Sequence, residues 1–273
     1  MNLSLYLETL YHKKFNLIKT NRGLSNDIYT TEFNGEKWAI RVVKNDLDAI
    51  IGKDEVTILN LIKTTNLDVE EVYYDPSNRL RITKWVDSLE FKDYKKSDRY
   101  LKAVDLIKSL HSYAFKVEKE FNITSMYRAF KDGIKEPLMD YQKYEVVFDQ
   151  YDNLNEPKIL CHNDLVSGNF LFGKDRAYLI DYEYAGMNYA LFDLMSFITE
   201  NNIDDEKIRQ SIYCEYFGKE PDKAILAKLQ IIENAQNLLW AAWANMLYDS
   251  RHETIYQEIF NDKLQHLIAK FPN

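Results

Sequence analysis

The chain has 273 residues, 46% hydrophobic and 14% aromatic, enough to bury a substantial core as one large or two small domains. Its 43 acidic residues outnumber 35 basic ones for a net charge of -8, and without a basic cluster to neutralise a run of phosphates this argues against a nucleic-acid partner and suits a cationic one. Two distant cysteines, Cys161 and Cys214, argue against a disulfide framework or zinc site and point to a reduced, cytoplasmic setting. Lys13 and Lys14 come too early for a signal peptide, and the apolar stretch from Leu238 to Leu247 is too short for membrane insertion.

In chain order, the first third reads as β-rich. Gly23-Leu24-Ser25-Asn26 precedes a hairpin whose strands, Ile28 to Phe33 and Lys37 to Val43, flank Asn34-Gly35, the pair that a tight turn with positive φ angles prefers. Asp48 to Ile62 has helical apolar spacing behind an acidic start. Val69 to Tyr74 and Leu80 to Val86 are two more strands around Asp75-Pro76-Ser77-Asn78. After Asp87 long amphipathic segments dominate, at Ser97 to Tyr113, Asp204 to Phe217 and Pro221 to Asp249. The expectation is an α+β protein of two lobes. Residues 1–86 form a small antiparallel sheet lobe with one helix, and residues 87–273 a larger, mainly helical lobe, joined near Trp85 to Ser88.

Between the helical segments lies Cys161-His162-Asn163-Asp164-Leu165-Val166-Ser167-Gly168-Asn169, followed by Leu179-Ile180-Asp181-Tyr182-Glu183. The H-x-D-x-x-x-x-N form with a later Asp is that of a kinase catalytic loop, and it implies phosphoryl transfer. Such chemistry asks little covalent work of side chains. The site must align an acceptor hydroxyl with the γ-phosphate of ATP and neutralise developing charge through Mg²⁺. Asp164 would accept or orient the hydroxyl proton, while Asn169 and Asp181, both oxygen donors, would hold the metal. Taken singly, each could be an ordinary turn residue. Together, between the apolar runs Lys158 to Leu160, Phe170 to Phe172 and Ala177 to Ile180, they read as a site clamped by short strands.

A nucleotide-binding lobe asks for a cation on the second hairpin strand, held by an acid on the helix, and Arg41 and Glu55 are the candidates. No G-x-G-x-x-G is present. In its place Ser25 and Asn26, with their backbone N–H groups, suit a phosphate, and the backbone at Trp85 and Val86 would meet the adenine edge. Trp240 and Trp243 lie one helical turn apart among alanines. They are either core filler or a wall for a trimethylammonium group, which has no N–H to donate and is held by aromatic faces.

Together Gly23-Leu24-Ser25-Asn26, Leu110-His111, His162-Asn163-Asp164 through Asn169, Asp181-Tyr182-Glu183-Tyr184-Ala185, Phe192-Asp193 and Trp240-x-x-Trp243 span most of the chain. In these the chain resembles the choline/ethanolamine kinases, especially compact bacterial choline kinases, within the aminoglycoside phosphotransferase-like group of the protein kinase-like superfamily. The resemblance implies a two-lobed kinase-like fold and ATP-dependent phosphorylation of choline to phosphocholine. Asp164 would be the base, Asn169 and Asp181 the Mg²⁺ ligands, and Trp240 and Trp243 the choline pocket. It also implies that Glu183 assists metal or substrate, that Glu200 and Tyr184 lie near the cationic headgroup, and that Asp193 anchors the catalytic loop. The chain departs from the family pattern in two places: Ser167 replaces a common Pro, and the segment after Trp243 has Asn245-Met246-Leu247-Tyr248 and lacks the Gln that often ends the tryptophan motif. The alternatives are an ethanolamine or aminoglycoside kinase, or a non-catalytic protein that binds nucleotide or a quaternary amine.

Overall fold

The computed structural model describes residues 2–20, 26–43 and 55–271. Ser25 with the turn before it, and positions 48–54 of the expected first helix, lie outside these. The chain begins with α1 (Leu3–Tyr11), β1 (Ile18–Lys19), β2 (Asn26–Phe33), β3 (Glu36–Val43), α2 (Glu55–Ile62), β4 (Glu71–Asp75), β5 (Leu80–Lys84) and β6 (Ser88–Glu90). It continues through α3 (Arg99–Ser112), α4 (Ile123–Gly133), α5 (Val146–Asp152), β7 (Lys158–Cys161), β8 (Phe170–Gly173), β9 (Ala177–Leu179) and β10 (Gly186–Tyr189). Four helices complete it: α6 (Ala190–Thr199), α7 (Glu206–Phe217), α8 (Lys223–Arg251) and α9 (Thr254–Lys270). Two compact units result, one of Met1–Leu106 with Ser167–Tyr184, the other of Ile107–Val166 with Ala185–Asn273.

In the first unit five antiparallel strands run in the order β1-β2-β3-β5-β4. Asn34 and Gly35 turn the central hairpin at φ angles of 53° and 82°, the pair of positive values that matches the twist of the strands. Strand alternation then sorts the side chains. Trp38 and Ile40 of β3, with Leu80 and Ile82 of β5, pack on Leu7 of α1 and on Phe15. The intervening Arg41 and Arg81 point to the opposite face and oppose each other across the ladder. The sheet therefore carries α1 as well as α2, not the single helix expected. A separate sheet, β6-β8-β9, belongs to the same unit. Gly173 ends β8 where an added Cβ would lie 3.0 Å from the Arg176 carbonyl oxygen, so a side chain there would force the β8–β9 turn open.

The second unit is built on α8, whose length packs against α9, α4, α6 and α5. Asp222 caps its start, accepting from the Ile225 N–H at 2.9 Å, and Asp205 caps α7 in the same way. Gly218 ends α7 at a φ of 67°, a value that costs a side-chain-bearing residue energy. The expected helical segments appear as α3, α7 and α8 within two residues at either end. Helix α9 escapes the pattern because its buried stripe of Tyr256, Phe260 and Leu267 includes Lys263, a residue that reads as solvent-facing. Strands β7 and β10 form a two-stranded ribbon. Among the described residues no helix is long and apolar enough to cross a membrane.

Candidate active site

The first unit gathers its charge around Arg41. The guanidinium pairs with Glu55 of α2 and with Asp181 after β9, and all three side chains are largely buried. Burial works against the Arg41 charge, but Asp181, Glu55 and Glu183 overcome it and push its pKa further up, so the group stays charged. Burial also works against the Glu55 charge. There Arg41 and the Tyr74 hydroxyl, which donates at 2.9 Å, prevail and lower the carboxyl below its ordinary value. Asn26, the first residue of β2, donates its amide to Asp181 at 3.2 Å and to Glu183 at 3.4 Å. Arg81, directly opposite Arg41, is compensated separately by Asp68 at 2.7 Å and Glu71 at 2.9 Å. Without those acids two buried cations would face each other.

Asn169 and Asp181 are brought side by side by the ladder that pairs Phe170 with Leu179, and by the Ile180 N–H donating to the Asn169 carbonyl at 2.9 Å. Asp181 sits at a φ of 67°, a conformation rare for a residue with a Cβ and found mostly where the surroundings impose it. The two side chains offer an amide and a carboxylate oxygen, the hard donors that Mg²⁺ prefers. Although Asp181 already meets Arg41 and Asn26, two carboxylate oxygens accept about four bonds, so the donor set fits the ion. Ser167, at the start of this stretch, accepts from the Lys92 N–H through its hydroxyl at 2.9 Å, a tie that a Pro could not make. Glu183 and Tyr184 belong to this unit and are buried.

Asp164 lies in the second unit, half-buried, in a loop held from below by Asp193. The Asp193 carboxylate accepts from the backbone N–H groups of His162 at 2.8 Å and Asn163 at 2.7 Å, and from His111 at 2.9 Å. A carboxylate accepts only, so His111 donates from Nε2, and its Nδ1 takes the Tyr216 hydroxyl at 2.8 Å. Asn163 turns the loop at a φ of 66° and is pinned there by Asn188, whose amide donates to it at 2.8 Å. His162 is thus anchored through its backbone, and Asp193 has the loop N–H partners expected of it. Cys161 lies beside His111 and Asp193, yet burial and the Asp193 charge push its thiol well above the ordinary range. Its Sγ lies 3.5 Å from the Asn188 and Tyr189 carbonyls as donor, and the Asp193 oxygens are taken by the loop N–H groups and His111, so this trio is scaffold.

The paired indoles stand edge to face, their ring centroids 6.0 Å apart, with Trp240 buried and Trp243 partly exposed. Sequence reasoning missed a third ring. Tyr256 of α9 stands edge to face against Trp243 at 5.6 Å, and its only signal is an aromatic in helical register with Phe260. Glu200, at the C-cap of α6, accepts from Lys263 Nζ at 3.0 Å, so its charge is already matched. Asn245 is an anchor. Its side-chain oxygen takes the Leu138 N–H and the Tyr141 hydroxyl, each at 3.0 Å, and its amide donates to the Glu136 carbonyl at 3.1 Å.

At the expected adenine edge the Trp85 N–H already donates to the Lys37 carbonyl at 2.8 Å. The amide of Trp85 is therefore spent within the sheet lobe. Its indole donates to Asp87 at 2.7 Å and carries the Lys37 ammonium 4.2 Å above its ring, while the Val86 carbonyl accepts from the Ser88 hydroxyl at 3.2 Å. The structure groups Asn26, Arg41, Glu55, Asn169, Asp181 and Glu183 in one unit. Trp240, Trp243 and Glu200 are grouped in the other, with Asp164.

Comparisons with known proteins bear on the family and the fold. Protein LicA of Haemophilus influenzae is 25% identical over 240 residues, covering 82% of this chain and 90% of its own length. Ethanolamine kinase 2 of Rattus norvegicus is 29% identical over 168 residues, covering 48% of this chain and 41% of its own. The crystal structure of the choline kinase LicA from Streptococcus pneumoniae superposes with a TM-score of 0.81 at 19% identity over 98% of both chains, which establishes a kinase-like fold. The family model described as choline/ethanolamine kinase matches residues 17–267, and the chain therefore belongs to the choline/ethanolamine kinase family of phosphotransferases.

Proposed function

We propose that this protein transfers the γ-phosphoryl group of ATP to the hydroxyl of choline, giving phosphocholine and ADP. Asp164 takes the hydroxyl proton as the choline oxygen bonds to the γ-phosphorus and the bond to the β-phosphate oxygen breaks. Asn169 and Asp181 hold Mg²⁺, which neutralises charge on the phosphates when bound. Arg41, fixed by Glu55, is the phosphate-contacting cation, Asn26 and Ser25 serve the phosphates as well, and residues 1–86 act as the nucleotide-binding lobe with the backbone of Trp85 and Val86 for the adenine edge. Glu183 assists metal or substrate positioning, and Tyr184 serves the cationic headgroup. A reducing cytoplasm suits Cys161 and Cys214, both free thiols.

The observation that carries the choline assignment is the aromatic set of Trp240, Trp243 and Tyr256, in which the Trp243 indole keeps an exposed portion and its Nε1 has no hydrogen-bond partner among the described residues. A trimethylammonium group has only methyl surface and diffuse charge to offer, and ring faces meet both. A primary ammonium would instead need free acceptors. Glu200, the acid that the family pattern places near the headgroup, is engaged by Lys263. ADP release measured with choline, ethanolamine and kanamycin, with mass detection of each product, tests the assignment. Choline is expected to exceed both others; equal or inverted rates would overturn it.

A further inference from the structure

Lys263 is a buried lysine whose partners trace a closed path through the second unit. Gln236, Trp240 and Trp243 recur at spacings of four and three and share one face of α8, as Tyr256, Phe260 and Lys263 do on α9. At one end of this double stripe Trp243 meets Tyr256. At the other, Lys263 Nζ donates to the Thr199 carbonyl at 3.2 Å and to Glu200 Oε1 at 3.0 Å, and the Thr199 hydroxyl donates to Gln236 at 3.1 Å. Seven helical residues separate the two ends, about 10 Å at the helical rise. The indole pair and the Glu200–Lys263 pair are therefore neighbours along a single face.

The details of the pair are asymmetric. The Lys263 side chain is 5% exposed and that of Glu200 15%, so Glu200 is the more exposed member of the pair. Among the described residues the Lys263 ammonium bonds Glu200 through Oε1, the same oxygen that lies 3.4 Å from the Thr199 hydroxyl whose proton is shared with Gln236. Lys263 also satisfies the last carbonyl of α6, which fixes its ammonium irrespective of any ligand.

Building on the choline reading above, we infer that Lys263 is a specificity-determining positioning residue: by neutralising and orienting Glu200 it leaves the headgroup pocket to its aromatic faces and disfavours a primary ammonium. A quaternary ammonium loses little when Glu200 is neutralised, since it donates no hydrogen bond. A primary ammonium loses a charge-assisted acceptor. Removing the Lys263 charge restores that acceptor and shifts preference toward the smaller amine.

The test compares kcat and KM for choline, ethanolamine and ATP in the full-length wild type and in Lys263→Met, Lys263→Arg, Glu200→Gln and Lys263→Met with Glu200→Gln. In Lys263→Met the ethanolamine-to-choline ratio of kcat/KM should rise about tenfold, mainly through the ethanolamine KM, with the ATP KM unmoved. Lys263→Arg should keep the wild-type ratio, and the double variant should return toward it. A folded Lys263→Met with an unmoved ratio overturns the inference. Should that variant fail to fold, Glu200→Gln decides, because an uncompensated Lys263 beside the pocket should raise the choline KM about tenfold and an unchanged value refutes the role. A wild type that ignores choline sinks the substrate reading, and this inference with it. A choline-specific wild type with an unmoved ratio sinks only the part given to Lys263.

Discussion

The two units arrange their candidate residues with opposite materials. Around Arg41 the first unit uses paired charge, with one guanidinium serving two carboxylates and an amide bridging to a third. Around Trp243 the second uses ring edges and faces, and in the same unit the acids Glu200 and Glu233 are matched by Lys263 and by Arg209 with Lys270. A buried charge left alone is expensive, whereas a missing ring leaves space and lost dispersion, so the first arrangement should fail abruptly and the second by degrees. The same contrast fits the chemistry proposed for each. Phosphates and Mg²⁺ demand fixed charges in fixed places, and a methylated ammonium demands a surface.

The comparison is tested most severely at Asp164, the acid that belongs to neither cluster. Asp164→Asn should lower kcat about a thousandfold while ATP and choline still bind, read by ADP release and by titration calorimetry. A variant that keeps even a tenth of its turnover would mean that the proton leaves by another route. Next in size is Arg41→Met, which strands Glu55 and Asp181. Stability in urea should fall by about 3 kcal/mol, and added Mg²⁺ should recover part of it by supplying Asp181 with a new cation. A loss below about 1 kcal/mol would show that the cluster is weakly coupled.

In the aromatic unit the loss is graded. Trp243→Ala should weaken choline binding about tenfold, as expected of one cation–π wall, with ATP affinity unchanged. Tyr256→Phe should leave choline binding nearly intact, because it keeps the ring that packs on Trp243 and removes only a hydroxyl that accepts from Arg251. Calorimetry showing no change in Trp243→Ala removes that indole from the pocket and returns it to the core.

Local signals made much of this legible. Asn34-Gly35 fixed the hairpin register, and the register put Arg41 on the face away from Trp38 and Ile40, toward the Glu55 helix. The catalytic loop was readable because its polar residues have rigid spacing, and Asp193 because a buried carboxylate must have donors. What stayed hidden depends on contacts between distant segments. Tyr256 reaches Trp243 from another helix, and Lys263 lies inside although its type belongs outside. Asn245 reads only as part of a departure from the tryptophan motif. It is an anchor for the segment from Glu136 to Tyr141, a role set by partners more than 100 positions earlier. The backbone at Trp85 reads as an adenine edge from its place in the chain, while the pairing of its N–H with the distant Lys37 carbonyl does not show in the local sequence.

The smallest effect expected from the contrast is in the response to acid. Glu55 titrates below its ordinary value of 4.5 because Arg41 and Tyr74 prevail over burial, so it binds fewer protons folded than unfolded in that range. Its contribution is complete above the ordinary value and is lost as the pH falls through the lower, folded one. Arg41, pushed upward, stays charged throughout this window and adds no slope. The stability gap between wild type and Glu55→Gln should accordingly stay flat from about pH 7 to about pH 5 and narrow only below about pH 4.5. Denaturant midpoints taken at half-unit steps resolve this. A gap that closes already near pH 6 would mean that burial dominates at Glu55, and that Arg41 is held chiefly by Asp181.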